Sequence, residues 1–182
     1  YLNGKRTGKV KEYNYYGELV FEGKFINGEI NGKGREYYNG KLEFEGEYLN
    51  GLRNGKGKEY YSNGEVKFEG EYLNGKKNGK GKEYYSNGEV KFEGIYLKGK
   101  RWNGKGKKYN IFGKLSFEGQ YLNGKRNGKG KDGKLKFEGG YLKGKRNGKI
   151  KEYYSNGELE FEGEYLKGER WNGKQYIQRR QN

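Results

Sequence analysis

The chain has 182 residues, of which 40 are basic and 24 acidic, so its formal net charge at pH 7 is +16. Only 30% of the residues are hydrophobic, yet 17% are aromatic, and proline, cysteine and histidine are absent. Disordered chains are poor in aromatic residues, so this composition predicts regular structure despite its charge. The sequence contains no apolar run long enough for a membrane-spanning helix, and without cysteine it cannot form disulfides.

From the first residue onward the chain is a repeat, marked by the tripeptide Phe-Glu-Gly. Its spacings are 23, 24, 24, 25, 20 and 24 residues. We predict about 7.5 units in one continuous array over residues 1–174, with residues 175–182 as a tail or cap. Since Tyr1 begins inside a unit, we expect further residues upstream. Units start at Phe21, Phe44, Phe68, Phe92, Phe117, Phe137 and Phe161.

Each unit is predicted to contain two strands, because its side chains alternate with period two. In the unit that begins at Phe68, the residues Phe68, Gly70 and Tyr72 share one face, and the glutamates between them share the other. The segment LNGKKN is interpreted as the loop to the second strand. The dipeptide Asn87-Gly88 is typical of a type I′ turn and predicts a hairpin connection to the next unit.

The alternation also predicts which charges lie opposite each other. If Tyr72 pairs with Gly79, then Glu71 faces Lys80, and Glu69 faces Lys82 in the same hairpin. Such opposite charges contribute roughly 0.2–1 kcal/mol per pair.

The spacing F/Y-x-G-x-Y-x-x-G-x-x-x-G-x-G in residues 68–81 resembles the MORN repeat. The element EYYSNG and the 24-residue period resemble most closely the bacterial-type MORN repeat variant. The resemblance implies an all-β fold, a single-layer, elongated and twisted antiparallel meander of tandem β-hairpins. The strand pairing predicts the same meander. The resemblance also implies an interaction or scaffolding role.

The sequence contains few of the residue types that usually carry out catalysis. Histidine and cysteine are absent, Asp132 is the one aspartate, and the serines have no imidazole base within the chain. The repeated GKGK lacks the pattern of a phosphate-binding loop. We therefore predict no enzyme activity, no catalytic residues, no cofactor and no metal site.

Basic residues are concentrated between Phe92 and Ile150, where 17 basic residues stand against 4 acidic ones. The second glutamate of Phe-Glu-Gly-Glu is replaced in three successive units, by Ile95, Gln120 and Gly140. The predicted pairing therefore leaves three lysines without a carboxylate, namely Lys105, Lys129 and Lys149. The candidate basic patch comprises Lys98, Lys100, Arg101, Lys105, Lys107, Lys108, Lys125, Arg126, Lys129, Lys131 and Lys149.

Six aromatic residues are candidate contacts. Trp102 and Trp171 lie in equivalent one-residue insertions, and Phe112 replaces a turn asparagine. Each tryptophan is either an exposed binding hot spot or folded back over its own hairpin. The other three candidates lie on the predicted aromatic face, at Tyr72, Tyr96 and Tyr121.

The leading functional hypothesis is a non-catalytic scaffold that binds a protein partner through its aromatic and glycine face and its loops. The alternative is peripheral binding of anionic membrane lipid through residues 92–150. A third hypothesis is binding of nucleic acid or another polyanion. End-to-end self-association is also expected to be possible, since the first strand leaves an open edge. An intracellular or membrane-surface location is favoured, with export left open.

Overall fold

The protein is all-β. A computed structural model describes residues 4–110, 113, 115–132 and 137–177, with the side chains of 128–132 excepted. These residues contain fifteen strands, and no helix among them could cross a membrane. The strands are β1 (Gly8–Tyr13), β2 (Leu19–Ile26), β3 (Glu29–Tyr38), β4 (Lys41–Leu49), β5 (Leu52–Tyr60), β6 (Val66–Leu73), β7 (Lys76–Tyr84), β8 (Val90–Leu97), β9 (Lys100–Tyr109), β10 (Leu115–Leu122), β11 (Lys125–Asp132), β12 (Phe137–Leu142), β13 (Lys145–Tyr153), β14 (Leu159–Leu166) and β15 (Glu169–Gln175).

The chain divides into two compact units, residues 1–100 and 101–182, called here the first and second unit. In the first unit, strands β1 to β8 pair with their sequence neighbours in antiparallel fashion. Strands β9 to β15 do the same in the second unit. The predicted all-β fold and its antiparallel hairpins are therefore confirmed.

The two kinds of turn are the reverse of the prediction. In the segment LNGKKN, Asn74 and Gly75 have φ values of 49° and 75°, so the chain makes a type I′ turn there. Asn87 does not have positive φ, whereas Gly88 has φ 80°. The Gly88 amide donates to the carbonyl of Tyr85 at 3.0 Å, and the Tyr85 amide donates to the carbonyl of Glu89 at 2.8 Å. This connection is a wider loop that closes with a left-handed glycine.

A bulge changes the predicted register of the hairpins β2–β3, β4–β5, β6–β7, β10–β11, β12–β13 and β14–β15. Glu69 lies opposite Lys82, as predicted, but the register shifts before Tyr72, which lies opposite Lys77. Glu71 instead pairs with Lys56 on the preceding strand. The Lys of the second strand thus lies opposite the glutamate of the following unit.

Three lysines were predicted to face no carboxylate, and the observed register shows that this prediction is wrong for one of them. Lys149 lies opposite Glu164. Lys105 lies opposite Gln120, and the backbone of Lys129 lies opposite Gly140, so the prediction about the facing residue holds at these two positions.

The core is a row of phenylalanines that lie flat over glycines on one face of the sheet. Phe44 is fully buried, and its Cζ lies 2.6 Å and 2.5 Å from the positions that a β-carbon would take on Gly46 and Gly57. Tyr72 packs edge-on against the Phe44 ring at 5.3 Å. Arg53 covers the ring from outside, with Cζ 3.9 Å from its centroid. A single-layer sheet thereby buries aromatic rings with its own side chains.

The second unit uses the same arrangement. Phe117 and Phe137 are fully buried there, and Tyr141 packs edge-on against both. Arg126 lies 4.1 Å above the Phe117 ring, and Arg146 lies 4.1 Å above Phe137. A basic side chain over each ring is worth about 0.5–1 kcal/mol where it is exposed and more where it is desolvated.

Candidate functional site

Two of the candidate tyrosines of the aromatic face are buried, and their hydroxyl groups are hydrogen-bonded to glutamates of the same face. Tyr72 and Tyr96 are only 5% and 3% exposed. The Tyr72 hydroxyl donates to Glu59 at 2.8 Å, and Lys77 Nζ donates to the same carboxylate at 2.8 Å. The Tyr96 hydroxyl donates to Glu83 at 2.9 Å. Neither ring presents a surface to a partner, which corrects their expected role as contact residues.

The remaining aromatic candidates differ from one another. Trp171 is 72% exposed. Trp102 is half-buried, and its Cε3 lies 4.0 Å from the β-carbon position of Gly124 on the next hairpin. Tyr121 is half-buried beside Phe117. Phe112 lies outside the described residues. Among the described members of this group, Trp171 is the exposed one.

Several members of the predicted basic patch have structural roles. Arg126 covers Phe117. Lys107 Nζ lies 3.8 Å from a Glu118 carboxylate oxygen, and Arg101 is half-buried. Lys98 and Lys100 belong to the first unit and the other members to the second. The side chains of Lys129 and Lys131 lie outside the described residues. The exposed members are Lys98, Lys100, Lys105, Lys108, Lys125 and Lys149.

A more extensive surface lies on the opposite, charged face of the first unit. It is an open groove of about 1590 Å³, lined by the three central residues of each strand from β1 to β8. At about 4.8 Å per strand, eight strands give a groove about 34 Å long. The middle residue of the three is glycine on most strands, so the floor is largely backbone.

One row of charges along the groove is internally neutralised. The Arg35 guanidinium lies 3.4 Å from a Glu22 carboxylate oxygen and 3.3 Å from a Glu45 carboxylate oxygen. Lys58 Nζ lies 3.6 Å from a Glu69 carboxylate oxygen. We call this the paired row, and its residues are Lys11, Glu22, Arg35, Glu45, Lys58, Glu69, Lys82 and Glu93.

Tyrosines from neighbouring repeats strengthen the paired row. The Tyr60 hydroxyl donates to Glu45 at 2.7 Å and the Tyr84 hydroxyl to Glu69 at 2.5 Å. The bond from Tyr60, with a smaller contribution from Arg35, holds the pKa of Glu45 below its ordinary value. Partial burial and the bonded carboxylate raise the pKa of Tyr60, and likewise that of Tyr84, to about 12.

The second row of the groove is different, because its glutamates bind backbone. Glu47 Oε2 accepts the backbone N–H of Lys56 at 3.0 Å, and Glu71 Oε2 accepts that of Lys80 at 2.9 Å. Within the described part of the chain, the ammonium groups of this row make no ion pair. We call its lysines the open row, which comprises Lys9, Lys24, Lys33, Lys56 and Lys80.

Sequence reasoning missed the open row because the predicted register gave Lys56 and Lys80 carboxylate partners within their own hairpins, Glu47 and Glu71. The substitution of Lys24 and Ile95 for the repeated glutamate was the signal available in the sequence. Among the described residues, no group of side chains has the composition of a metal site.

Comparison with known families agrees with this structure. The MORN repeat matches residues 21–41, 44–66, 68–90 and 117–131, and the MORN repeat variant matches residues 146–167. No curated protein sequence matches the chain. MORN repeats generally build non-catalytic scaffolds that bind proteins or membranes. The matched segments cover more than half of the chain, which therefore belongs to the MORN repeat family.

Proposed function

We propose that the protein is a non-catalytic scaffold that holds a protein partner in the charged groove of the first unit. The observation that carries this proposal is the groove itself, which combines a glycine floor with a row of lysines that make no ion pair among the described residues. A floor without side chains lets a partner approach the backbone closely, and the net positive charge of the open row favours a partner of opposite sign.

The groove is a better candidate than the aromatic face for an energetic reason. A partner on the aromatic face must first displace Arg53 or Lys77 from the phenylalanine rings that they cover. Each displacement also breaks an ion pair with a glutamate of that face, Arg53 with Glu36 and Lys77 with Glu59. In the groove, the exposed lysines need only lose water.

The test is quantitative capture of a partner from an extract of the producing cells. The immobilised wild-type chain first identifies the retained protein by mass spectrometry. A variant with Lys56→Glu and Lys80→Glu is then compared with a control that carries Lys41→Glu and Lys76→Glu. The control changes exposed hairpin lysines outside the groove lining and alters the net charge equally. We expect about tenfold less partner on the groove variant and nearly unchanged capture by the control.

Equal capture by both variants contradicts the groove as the binding surface. Sedimentation of the chain with anionic vesicles, together with no captured protein, replaces the proposal with membrane binding. The exposed lysines of the second unit, Lys105, Lys125 and Lys149, are then the residues to reverse.

A further inference from the structure

The open row has a regular spacing. Lys33, Lys56 and Lys80 occupy equivalent positions on β3, β5 and β7, which are every second strand of the first unit. Strands lie about 4.8 Å apart, so these lysines repeat about every 9.6 Å along the groove. A ligand that uses all three must present its charges at the same interval.

The two carboxylates of this row, Glu47 and Glu71, lie opposite Lys33 and Lys56 but bond backbone amides instead. Among the described residues, five lysines against two carboxylates leave the row with a net charge of +3. Glu71 Oε2 would lie 1.9 Å from a β-carbon on Gly79, so the carboxylate sits directly over the bulge glycine. Glu47 is placed in the same way over Gly55. These groups cap the bulge. On β8, Ile95 stands opposite Lys80 where earlier units have glutamate.

At one end of the groove the capping carboxylate is itself replaced by a lysine. Lys24 stands at the position of Glu47 and Glu71, and it lies directly opposite Lys9 on β1. Like charges directly opposite each other destabilise a strand pair. In the described part of the chain no side chain accepts the backbone N–H of Lys33, the bulge position that Glu47 and Glu71 cap in the later hairpins. This end therefore offers three ammonium groups and a backbone donor to an external carboxylate.

We propose that the open row binds an extended acidic segment of the protein partner, in polyproline II conformation, with an acidic residue at every third position. This inference rests on the proposed function and adds the chemistry of the ligand. A polyproline II segment rises about 3.1 Å per residue with three residues per turn, so side chains on one face repeat about every 9.3 Å. A β-strand repeats about every 6.8 Å on one face and does not match the lysines.

The first acidic residue of such a segment takes the position of the absent capping carboxylate, among Lys9, Lys24 and Lys33. Later acidic residues reach Lys56 and Lys80 in turn. The paired row supplies no competing cation, because its basic groups already contact glutamates. A polyproline II segment has little conformational freedom to lose on binding, which favours this conformation over a flexible acidic chain.

The experiment is fluorescence anisotropy with the full chain and a labelled peptide of repeated Glu-Pro-Pro units. We expect saturable binding that weakens with added salt, and at least about fivefold weaker binding of a peptide with the same composition but clustered glutamates. The variant combining Lys33→Gln, Lys56→Gln and Lys80→Gln is expected to bind about tenfold more weakly.

The matched control combines Lys11→Gln, Lys58→Gln and Lys82→Gln. It removes the same charge from the same groove, but from the paired row, and we expect less than about a twofold change. Circular dichroism shows whether each variant keeps the fold. Equal weakening by both triple variants, or equal binding of the two peptides, overturns the proposal.

The two proposals fail separately. If the groove variant loses its captured partner while the Glu-Pro-Pro peptide does not bind, the scaffold function stands and the acidic ligand is overturned. If the peptide binds the open row but capture of the partner is unaffected by groove substitutions, the scaffold function through this groove is overturned.

Discussion

Three type I′ turns place lysine where the other turns place asparagine. Lys98, Lys143 and Lys167 have φ values of 50°, 50° and 54°. A left-handed conformation is costly for residues other than glycine, and asparagine tolerates it better than lysine because its short side chain bonds locally. The backbone amides of Lys98 and Lys167 still donate hydrogen bonds to the side-chain oxygens of Asn78 and Asn147 on the preceding hairpin. The turns therefore form despite the residue at their first position.

Replacing these turn lysines should stabilise the protein. We expect Lys143→Asn and Lys167→Asn each to add about 0.5–1 kcal/mol to the free energy of unfolding, because asparagine adopts positive φ at lower cost. Thermal unfolding followed by circular dichroism measures the effect. The control is Lys145→Asn, an exposed lysine in the same hairpin without positive φ, with an expected change below about 0.5 kcal/mol. An equal shift in the control would show that charge, rather than φ, is responsible.

The hairpin is the element that repeats, and each hairpin is attached to the previous one by its turn. The Asn74 amide donates to Asn54 Oδ1 at 3.3 Å, and the Gly75 amide donates to the carbonyl of Arg53 at 2.9 Å. At the opposite edge the Tyr61 hydroxyl donates to the carbonyl of Tyr84 at 2.8 Å. Bonds at both edges and rings between them make every hairpin depend on its neighbours.

The contact between ring and glycine floor gives a prediction for this element. We expect Gly57→Ala to destabilise the protein by about 1–3 kcal/mol, because the new β-carbon would lie 2.5 Å from Phe44 Cζ. The backbone of Gly57 is not in the left-handed region, so the effect is steric. The measurement is the thermal midpoint of Gly57→Ala, of Phe44→Leu and of the double variant.

The double variant separates crowding from a general strand effect. Leucine at position 44 leaves room for the methyl group added at position 57. The double variant should therefore lose less stability than the sum of the losses in the two single variants. Strict additivity would contradict direct contact between the two positions.

These elements show how far the sequence could predict the structure. Period-two alternation correctly predicted which residues share a face, and it placed Glu69 opposite Lys82. The unit that begins at Phe68 contains three Asn-Gly dipeptides, at Asn74, Asn78 and Asn87, and the dipeptide alone cannot tell which one forms the type I′ turn. The bulge takes Lys80 out of the predicted side-chain pairing with Glu71 and lets the Glu71 carboxylate accept the Lys80 backbone N–H, which alternation does not encode.

Across the whole molecule, the charged groups that hold the repeats together are carboxylates bonded to tyrosine and to basic side chains. Burial opposes ionisation of Glu36, but hydrogen bonds from Arg53 and Tyr48 hold its pKa below the ordinary value. The tyrosines of the paired row have raised pKa values, about 12 for Tyr60 and Tyr84. The chain has no histidine, so no imidazole titrates in the pH range between the glutamates and the tyrosines.

The stability of the protein should therefore be nearly constant near neutral pH and fall at both extremes. Unfolded tyrosine ionises near pH 10, whereas Tyr60 and Tyr84 hold their protons to about 12, so stability falls as the pH rises through this interval. The lowered pKa of Glu36 and Glu45 makes stability fall as the pH drops below about 4.3. Thermal midpoints across the pH range measure both effects.

A tyrosine variant assigns the alkaline effect to particular residues. The double variant Tyr60→Phe and Tyr84→Phe should show a shallower fall above pH 10. Tyr15→Phe serves as the control, because Tyr15 is 97% exposed and outside the paired row. An identical alkaline profile in both variants would show that the bonded tyrosines are not the cause.

The closure of the phenylalanine face by Arg53, Lys77 and their glutamates has an evolutionary consequence for the opposite face. The lysines of the open row lie on the side of the strands opposite the phenylalanine rings, so mutation can change these lysines without disturbing the rings. Lys33, Lys56 and Lys80 can drift to acids or apolar residues at little cost to the fold. A lineage can thus exchange ligands while it inherits the scaffold intact, and an engineer can randomise these positions for the same reason.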